Sequence, residues 1–234
     1  MSTVTYLPRS ANQRGHTELN WLNSWHSFSF GHYRDPGWLG FGALRVLNDD
    51  QVAPAGGFGT HPHNNMEIVS YVISGELAHQ DSMGNGSSIR PGDLQRMSAG
   101  SGITHSEFNH SETEPVHFLQ IWFEPTNLDL APSYGQQHYP LAERRNQLRL
   151  MLSPDGSDGS LTIGQQVWLS GTLLTGDLSH QLTNGERAWV QVIRGDVQLN
   201  GHQLSNGDGL GVVGASDLHF SADQETELIL IELL

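Results

Sequence analysis

Two short segments of the sequence hold closely spaced histidine and carboxylate side chains. In the first, residues 57–67, His61 and His63 are two positions apart and Glu67 follows four positions later. Residues i and i+2 of an extended strand point to the same face, so the two imidazoles converge, and Glu67 joins them if the strand stays regular. The spacing therefore predicts a pair of nitrogen ligands for a divalent metal, with a carboxylate close by.

The second segment, residues 99–107, places His105 and Glu107 two positions apart behind a glycine-rich turn. On a strand they also share a face. The two segments together offer three imidazoles and one or two carboxylates. Nitrogen and oxygen ligands suit Fe, Mn, Ni, Cu or Zn without choosing among them. Open coordination positions on such an ion would let it act as a Lewis acid, a template or a redox centre.

Other histidines lack a partner at this spacing, and we interpret them as ordinary surface or core residues: His26, His32, His79, His110, His117 and His138.

The sequence is also rich in aromatic side chains between Trp21 and Phe41. We interpret this stretch as a strand or flap that packs on a barrel, in preference to a wall for an aromatic substrate.

Composition excludes several classes of protein. With 25 Asp and Glu against 11 Lys and Arg, the net charge is −14, whereas nucleic acids and anionic membranes are bound through basic patches. The chain has no Cys, which excludes disulfides, thiolate zinc sites and iron–sulfur clusters. We find no apolar run near the roughly 20 residues of a membrane span and no signal-peptide pattern, so we expect a soluble cytoplasmic protein.

Strand signals dominate the elements that must position these residues. Runs of β-branched and aromatic residues occur at 68–75, 116–123, 189–195 and 227–232. Turn signals such as Gly84-Asn85-Gly86 and Asn206-Gly207-Asp208 recur between such runs. This pattern predicts an all-β sandwich or barrel. Residues 141–152 are the best helix candidate, inside a proline-rich connection between two domains that we place at about 124–160.

An internal repeat supports two related β units. The segment 71–77, which contains Gly75, is echoed by 191–197, which contains Gly195. Pro91-Gly92-Asp93 is echoed in the same order by Asn206-Gly207-Asp208, at nearly the same offset. The order and offset indicate a duplicated unit.

The same residues resemble a known family. Residues 59–75, with His61-Pro62-His63 and Glu67, resemble the first cupin motif, and residues 91–109, with His105-Ser106-Glu107, resemble the second. The details are most similar to pirins, in particular to bacterial pirin-like proteins credited with quercetin 2,3-dioxygenase activity. They include Thr60-His61-Pro62-His63, Met66-Glu67, His79-Gln80-Asp81-Ser82 and the run from Met97 to Glu107.

The resemblance implies a bicupin, with two tandem cupin-type (jelly-roll) β-barrels packed against each other. We expect a metal-binding barrel at residues 1–130 and a metal-free one at 131–234, where Gln181 and Thr183 replace the histidine pair. The implied ligands of one divalent metal are His61, His63, His105 and Glu107. Iron is favoured, with Mn, Ni, Cu or Zn as alternatives. Most cupins take the carboxylate from the first motif, so Glu67 remains the alternative ligand or base beside Glu107.

The implied activity is a dioxygenase that opens the heterocycle of flavonols such as quercetin and releases CO. Glu107 or Glu67 would act as the catalytic base, and the partners would be the polyphenol and O₂, with the protein a monomer. One alternative is a redox-sensitive, iron-binding regulatory protein with a protein partner. Another is a metal cupin with a different small-molecule reaction, because one fold hosts many chemistries.

Overall fold

The chain is almost entirely β-structure, and the prediction of an all-β fold is confirmed. The structure is a computed structural model and describes residues 4–215 and 217–234. Contacts divide it into two compact units. The N-terminal unit is Gly15–His138, and the C-terminal unit is Tyr139–Leu234 together with the segment that ends at Arg14. No helix among the described residues is long and apolar enough to cross a membrane.

The N-terminal unit contains eleven strands in two antiparallel sheets. The strands are β2 (Gly15–Glu18), β3 (Leu22–His26), β4 (Leu44–Val52), β5 (Gly57–His63), β6 (Glu67–Ser74), β7 (Leu77–Asp81), β8 (Gly86–Ile89), β9 (Asp93–Ser98), β10 (Ile103–Phe108), β11 (Val116–Phe123) and β12 (Ser133–His138). One sheet has the order β12-β9-β6-β11-β4-β3-β2, and the other has the order β5-β10-β7-β8.

The two sheets of this unit pack face to face. Opposite residues of antiparallel strands share a face. Val72 of β6 lies opposite Phe118 of β11. Both belong to one buried cluster with Leu77 and Ile89, which come from the four-stranded sheet. Burial of such apolar side chains is the main stabilising contribution to a sandwich of this kind.

The C-terminal unit is built on a nine-stranded sheet to which β1 (Thr5–Arg9) also belongs. Its other strands are β13 (Arg149–Ser153), β14 (Leu161–Thr162), β15 (Val167–Gln181), β16 (Arg187–Arg194), β17 (Val197–Leu199), β18 (His202–Leu204), β19 (Gly209–Val213) and β20 (Asp217–Leu233). The unit also contains the one-turn helix α1 (Leu141–Arg144), and short 3-10 helices lie at Ala11–Gln13 and Ser157–Gly159. Side chains of β16, β19 and β20 form its core.

The predicted helix over residues 141–152 is wrong beyond its first turn. Helix α1 ends at Arg144, and Arg149–Ser153 forms β13. Strand β13 pairs with β15, and its residues Met151 and Leu152 are fully buried. Pairing with a sheet that already buries this segment therefore outweighs its local helix propensity.

The segment predicted as a domain connection is mostly structured. Strand β12 pairs with β9 at the edge of the seven-stranded sheet. The contacts thus divide the chain after His138 and place the first strand with the C-terminal unit. The sequence-based domain boundary after residue 130 stays a prediction, and it differs from the division by contacts after His138.

The internal repeat corresponds to the same local structure in both units. Gly75 ends the β6 strand with φ of 77° and Gly195 ends β16 with φ of 86°. A Cβ at either position would lie 2.6 Å from an oxygen atom, of Pro115 in the first case and of Thr226 in the second. Only glycine combines this φ with so close an approach.

Candidate metal centre

The three predicted histidine ligands converge on one point of the N-terminal unit. Strands β5 and β10 are antiparallel neighbours, with His61 directly opposite His105 and His63 opposite Ile103. Each histidine offers a nitrogen within 4.8 Å of the nitrogens of the other two. The ring centroids are 4.4 Å apart for His61 and His105, 4.8 Å for His61 and His63, and 4.9 Å for His63 and His105.

A bulge in β5 shapes this cluster. Glu107 lies opposite Phe58 while His105 lies opposite His61, so three steps along β5 match two along β10. The extra residue brings Phe58 and His61 onto the same face. Nδ1 of His61 lies 2.8 Å from the carbonyl oxygen of Gly59, within the bulged segment. Because a carbonyl only accepts, Nδ1 carries the proton, and the lone pair of His61 is on Nε2.

The remaining two histidines present unpartnered nitrogens. Nε2 of His63 and Nε2 of His105 are buried and have no hydrogen-bond partner among the described residues. A buried polar atom without a partner costs about 1–3 kcal/mol. A metal ion accepts such lone pairs, so these histidine nitrogens fit a divalent metal.

Electrostatics keeps these imidazoles neutral. Burial first, and then the neighbouring His61, lowers the pKa of His63 to about 4. Burial, followed by the charges of His61, His63 and His79, lowers the pKa of His105 to about 2. At neutral pH both rings are therefore unprotonated at one nitrogen, which is the form that coordinates a metal.

Glu107 lies beside the histidines and connects the two sheets. The residue is 2% exposed, and Gln120 Nε2 donates to its carboxylate, to Oε2 at 2.8 Å and to Oε1 at 3.1 Å. Ser70 Oγ lies 3.3 Å from Oε1 of Glu107 and 2.9 Å from Oε1 of Gln120, so its one proton is donated to either oxygen. Burial raises the pKa of Glu107, opposed by these hydrogen bonds and by His61. Glu107 is not a member of the three-histidine group, so its service as a fourth ligand stays a prediction.

Glu67 does not share the face of His61 and His63, and that expectation is wrong. Strand β5 ends at His63, Asn65 adopts a left-handed φ of 48°, and Glu67 begins β6 in the other sheet. Ser70 of β6 faces Glu107, so Glu67, an odd number of residues away, faces the opposite side. Its carboxylate accepts a hydrogen bond of 2.7 Å from Ser98. Its role as an alternative base stays a prediction that no described contact supports.

His79 contacts the centre, although its sequence context indicated an ordinary residue. Its Nε2 lies 3.2 Å from Nδ1 of His105. It sits on β7 opposite Glu107 of β10, and so on the face that carries the cluster. Spacing along the chain could not identify it, because its partner lies on a neighbouring strand 26 residues away.

The aromatic N-terminal stretch packs on this unit as predicted. Strand β3 belongs to the seven-stranded sheet, and Trp21 meets the Phe58 ring edge-on at 5.0 Å. Phe30 meets Trp122 edge-on at 5.4 Å, and Trp122 in turn meets His63 at 4.9 Å. The stretch thus lies behind Trp122, which borders the metal centre.

Two family models match the chain. The model described as Pirin matches residues 8–123, which include the whole histidine cluster. The model described as Quercetinase C-terminal cupin domain matches residues 150–233. Both parts of the bicupin expected from the sequence are therefore present.

Similar proteins match over nearly their full lengths. A protein of Escherichia coli (strain K12) named quercetin 2,3-dioxygenase is 44% identical over 227 residues, covering 96% of this chain and 97% of that protein. A pirin-like protein of Caulobacter vibrioides is 38% identical, covering 93% and 95%. The crystal structure of the bacterial pirin YhhW of Escherichia coli in complex with nickel(II) superposes with a TM-score of 0.93 at 43% identity, covering 98% and 99%.

Proposed function

Because this chain belongs to the pirin family, we propose that it is a metal-dependent dioxygenase that opens the heterocycle of flavonols such as quercetin and releases CO. It is quercetin 2,3-dioxygenase-like and consists of two cupin domains. The observation that carries the proposal is the convergence of His61, His63 and His105. Two of them present buried Nε2 atoms that have no hydrogen-bond partner within residues 4–215 and 217–234. The name of the Escherichia coli relative supports the reaction class.

The three histidines would hold the metal, with Glu107 as the proposed fourth ligand. Relatives offer one precedent for the ion, since a pirin structure contains nickel(II). Iron remains the favoured metal here, and Mn, Ni, Cu or Zn are alternatives that the nitrogen and oxygen ligands accept. When bound, the metal supplies a Lewis acid and redox centre with coordination positions open to small molecules.

Glu107 would act as the base. Gln120 and Ser70 hold its carboxylate, and burial raises its pKa, so it has a stronger affinity for a proton than an exposed carboxylate. We assign to Glu107 the removal of the proton from the flavonol 3-hydroxyl. The resulting anion is electron-rich and combines with O₂. Both oxygen atoms enter the products, one ring carbon leaves as CO, and the proton returns to the opened product.

Apolar side chains on either side of the polar centre suit an aromatic substrate. One buried cluster contains Ile68, Met97 and Ile103, with Trp122 packed against it. The other contains Val72 and Phe118, with Phe58 packed against it. His61 and His63 are only partly buried, so the centre remains accessible from outside.

The test is turnover by metal-loaded protein under air. We expect O₂ consumption and CO release in equal amounts with quercetin, and loss of both in Glu107→Gln. His110→Ala, which removes an exposed histidine of the same unit, is the matched control and should retain activity. Tight binding of quercetin without any CO would contradict the dioxygenase and favour the regulatory alternative. A cytoplasmic location and a monomeric state stay predictions.

A further inference from the structure

We propose that His79 is a positioning residue that fixes the tautomer of His105 and so leaves Nε2 of His105 free for the metal. The inference rests on the proposed metal site but not on the proposed reaction. Its basis is the 3.2 Å contact between His79 Nε2 and His105 Nδ1, both in buried side chains.

The tautomers follow from the chemistry of the two rings. A hydrogen bond between neutral imidazoles needs one N–H and one lone pair. Nε2 of His105 has no partner in the described part of the chain, and Nδ1 is the nitrogen that contacts His79. Metal binding at Nε2 requires the proton to be on Nδ1, so His105 donates and His79 Nε2 accepts. His79 then carries its own proton on Nδ1, which has no partner among the described residues.

Neighbouring groups hold His79 in place. Its ring stacks on Tyr134, with centroids 5.1 Å apart and planes 27° apart. The Tyr134 hydroxyl donates to Gln136 Oε1 at 3.0 Å and also hydrogen bonds with Ser87. A ring fixed in this way keeps its lone pair directed at His105 without the entropy cost of ordering a mobile side chain.

The obvious rival for this role is Asp81, which lies opposite His105 on β7. Carboxylates are common partners of metal-bound histidines. The oxygens of Asp81 are instead engaged by its own turn: Oδ1 accepts from the backbone N–H groups of Met83 at 2.9 Å and Asn85 at 3.0 Å, and Oδ2 accepts from the Asn85 side chain at 2.8 Å. The local turn therefore occupies the carboxylate, and the neutral His79 takes its place.

A neutral partner has a chemical consequence. A carboxylate hydrogen-bonded to a ligating imidazole raises the basicity of that ligand. An imidazole acceptor does so less, because it carries no charge. His79 therefore orients His105 while leaving the metal more electron-poor than a carboxylate would.

The test is Ni(II) binding to the full-length apoprotein, measured by calorimetric titration. His79→Leu removes the acceptor and keeps bulk, and it should weaken Ni(II) binding about 10- to 100-fold. His79→Gln places a carbonyl oxygen near the position of Nε2 and should restore affinity close to that of the wild type. His110→Leu, at an exposed position, serves as the control and should bind like the wild type.

Wild-type protein provides a second readout that needs no variant. In the Zn(II)-loaded protein, nitrogen-15 NMR should show His105 with a protected proton on Nδ1 and the metal on Nε2. Coordination through Nδ1 would overturn the inference, and so would equal affinity of His79→Leu and the wild type. If His79→Gln binds as weakly as His79→Leu, the role is packing and the inference also fails.

These outcomes are separable from the fate of the proposed function. Wild-type protein that does not bind Ni(II) or Zn(II) would overturn both the metal site and the role of His79. Wild-type protein that binds metal in the predicted tautomer but never turns over a flavonol would support the role of His79 and contradict only the reaction.

Discussion

His61 and His105 lie directly opposite each other on neighbouring antiparallel strands, with ring centroids 4.4 Å apart. This pairing makes the centre a property of one sheet, and the facing sheet adds the groups that hold Glu107. Ser70 and Gln120 lie opposite each other there, between the row of Val72 and Phe118 and the row of Ile68 and Trp122. A polar row thus crosses the unit between two apolar ones.

Removing one histidine ligand should abolish stoichiometric metal binding. We expect His63→Ala, measured by elemental analysis after reconstitution with a divalent metal, to retain a small fraction of the wild-type metal content. The reason is that two imidazoles bind far more weakly than three. His110→Ala should match the wild type, and a full complement of metal in His63→Ala would exclude this residue as a ligand.

Metal should stabilise the wild-type protein and not the ligand variant. A ligand that binds only the folded state raises the free energy of unfolding by about 2.7 kcal/mol when its concentration is 100 times its Kd. Thermal unfolding of the apoprotein with and without Ni(II) should show a rise in Tm that His63→Ala lacks. An equal rise in both proteins would indicate binding elsewhere.

The two carboxylates are expected to separate by function. Glu67→Gln should keep metal and turnover, because Glu67 accepts a hydrogen bond from Ser98 on the far side of β6. Glu107→Gln should lose turnover. Its metal content decides the second question, since loss of metal identifies a ligand and retention identifies a base alone. Loss of turnover in Glu67→Gln with normal activity in Glu107→Gln would reverse the assignment.

Gln120→Leu should shift the pH dependence of turnover. The hydrogen bond from Gln120 lowers the pKa of Glu107, and burial raises it, so removing the amide leaves the raising effect less opposed. If ionised Glu107 is the base, activity falls as pH decreases through its pKa, and the acidic limb of the profile should move to higher pH. Lower activity with an unmoved limb would indicate a structural effect only.

Asp50 should make the protein less stable as pH rises. Burial is the largest cause that raises the pKa of Asp50 to about 7, with opposition from the Ser24 hydrogen bond and further raising by Asp49 and Glu107. A carboxyl whose folded pKa exceeds its unfolded value contributes stability below the unfolded pKa, and that contribution disappears as pH rises through the folded pKa. The free energy of unfolding should therefore fall between roughly pH 4 and pH 7, by on the order of a few kcal/mol from Asp50.

Asp50→Asn tests this linkage through urea unfolding at pH 5 and pH 8. The asparagine oxygen still accepts from Ser24, so the variant should gain stability over the wild type at pH 8 by more than at pH 5. Glu112→Gln, at an exposed carboxyl, should show no such difference. An equal stability difference at both pH values would contradict the raised pKa.

The sequence was sufficient to predict the fold class and the convergence of the three histidines. Alternation along a strand is local, so His61 with His63, and His105 with Glu107, could be paired without knowing how the chain folds. The family motifs extended this to the two cupin domains. Turn glycines such as Gly75 could also be identified from the sequence, because glycine is the residue that most easily adopts the positive φ that such a turn needs.

Contacts between strands were decided only by the tertiary structure. His79 and His105 meet through the pairing of β7 with β10, and Gln120 reaches Glu107 across the space between two sheets. Glu67 left the predicted site because the chain turns after His63 and enters the other sheet. Register and sheet packing arise from interactions among residues distant in sequence, and spacing along one chain segment does not encode them.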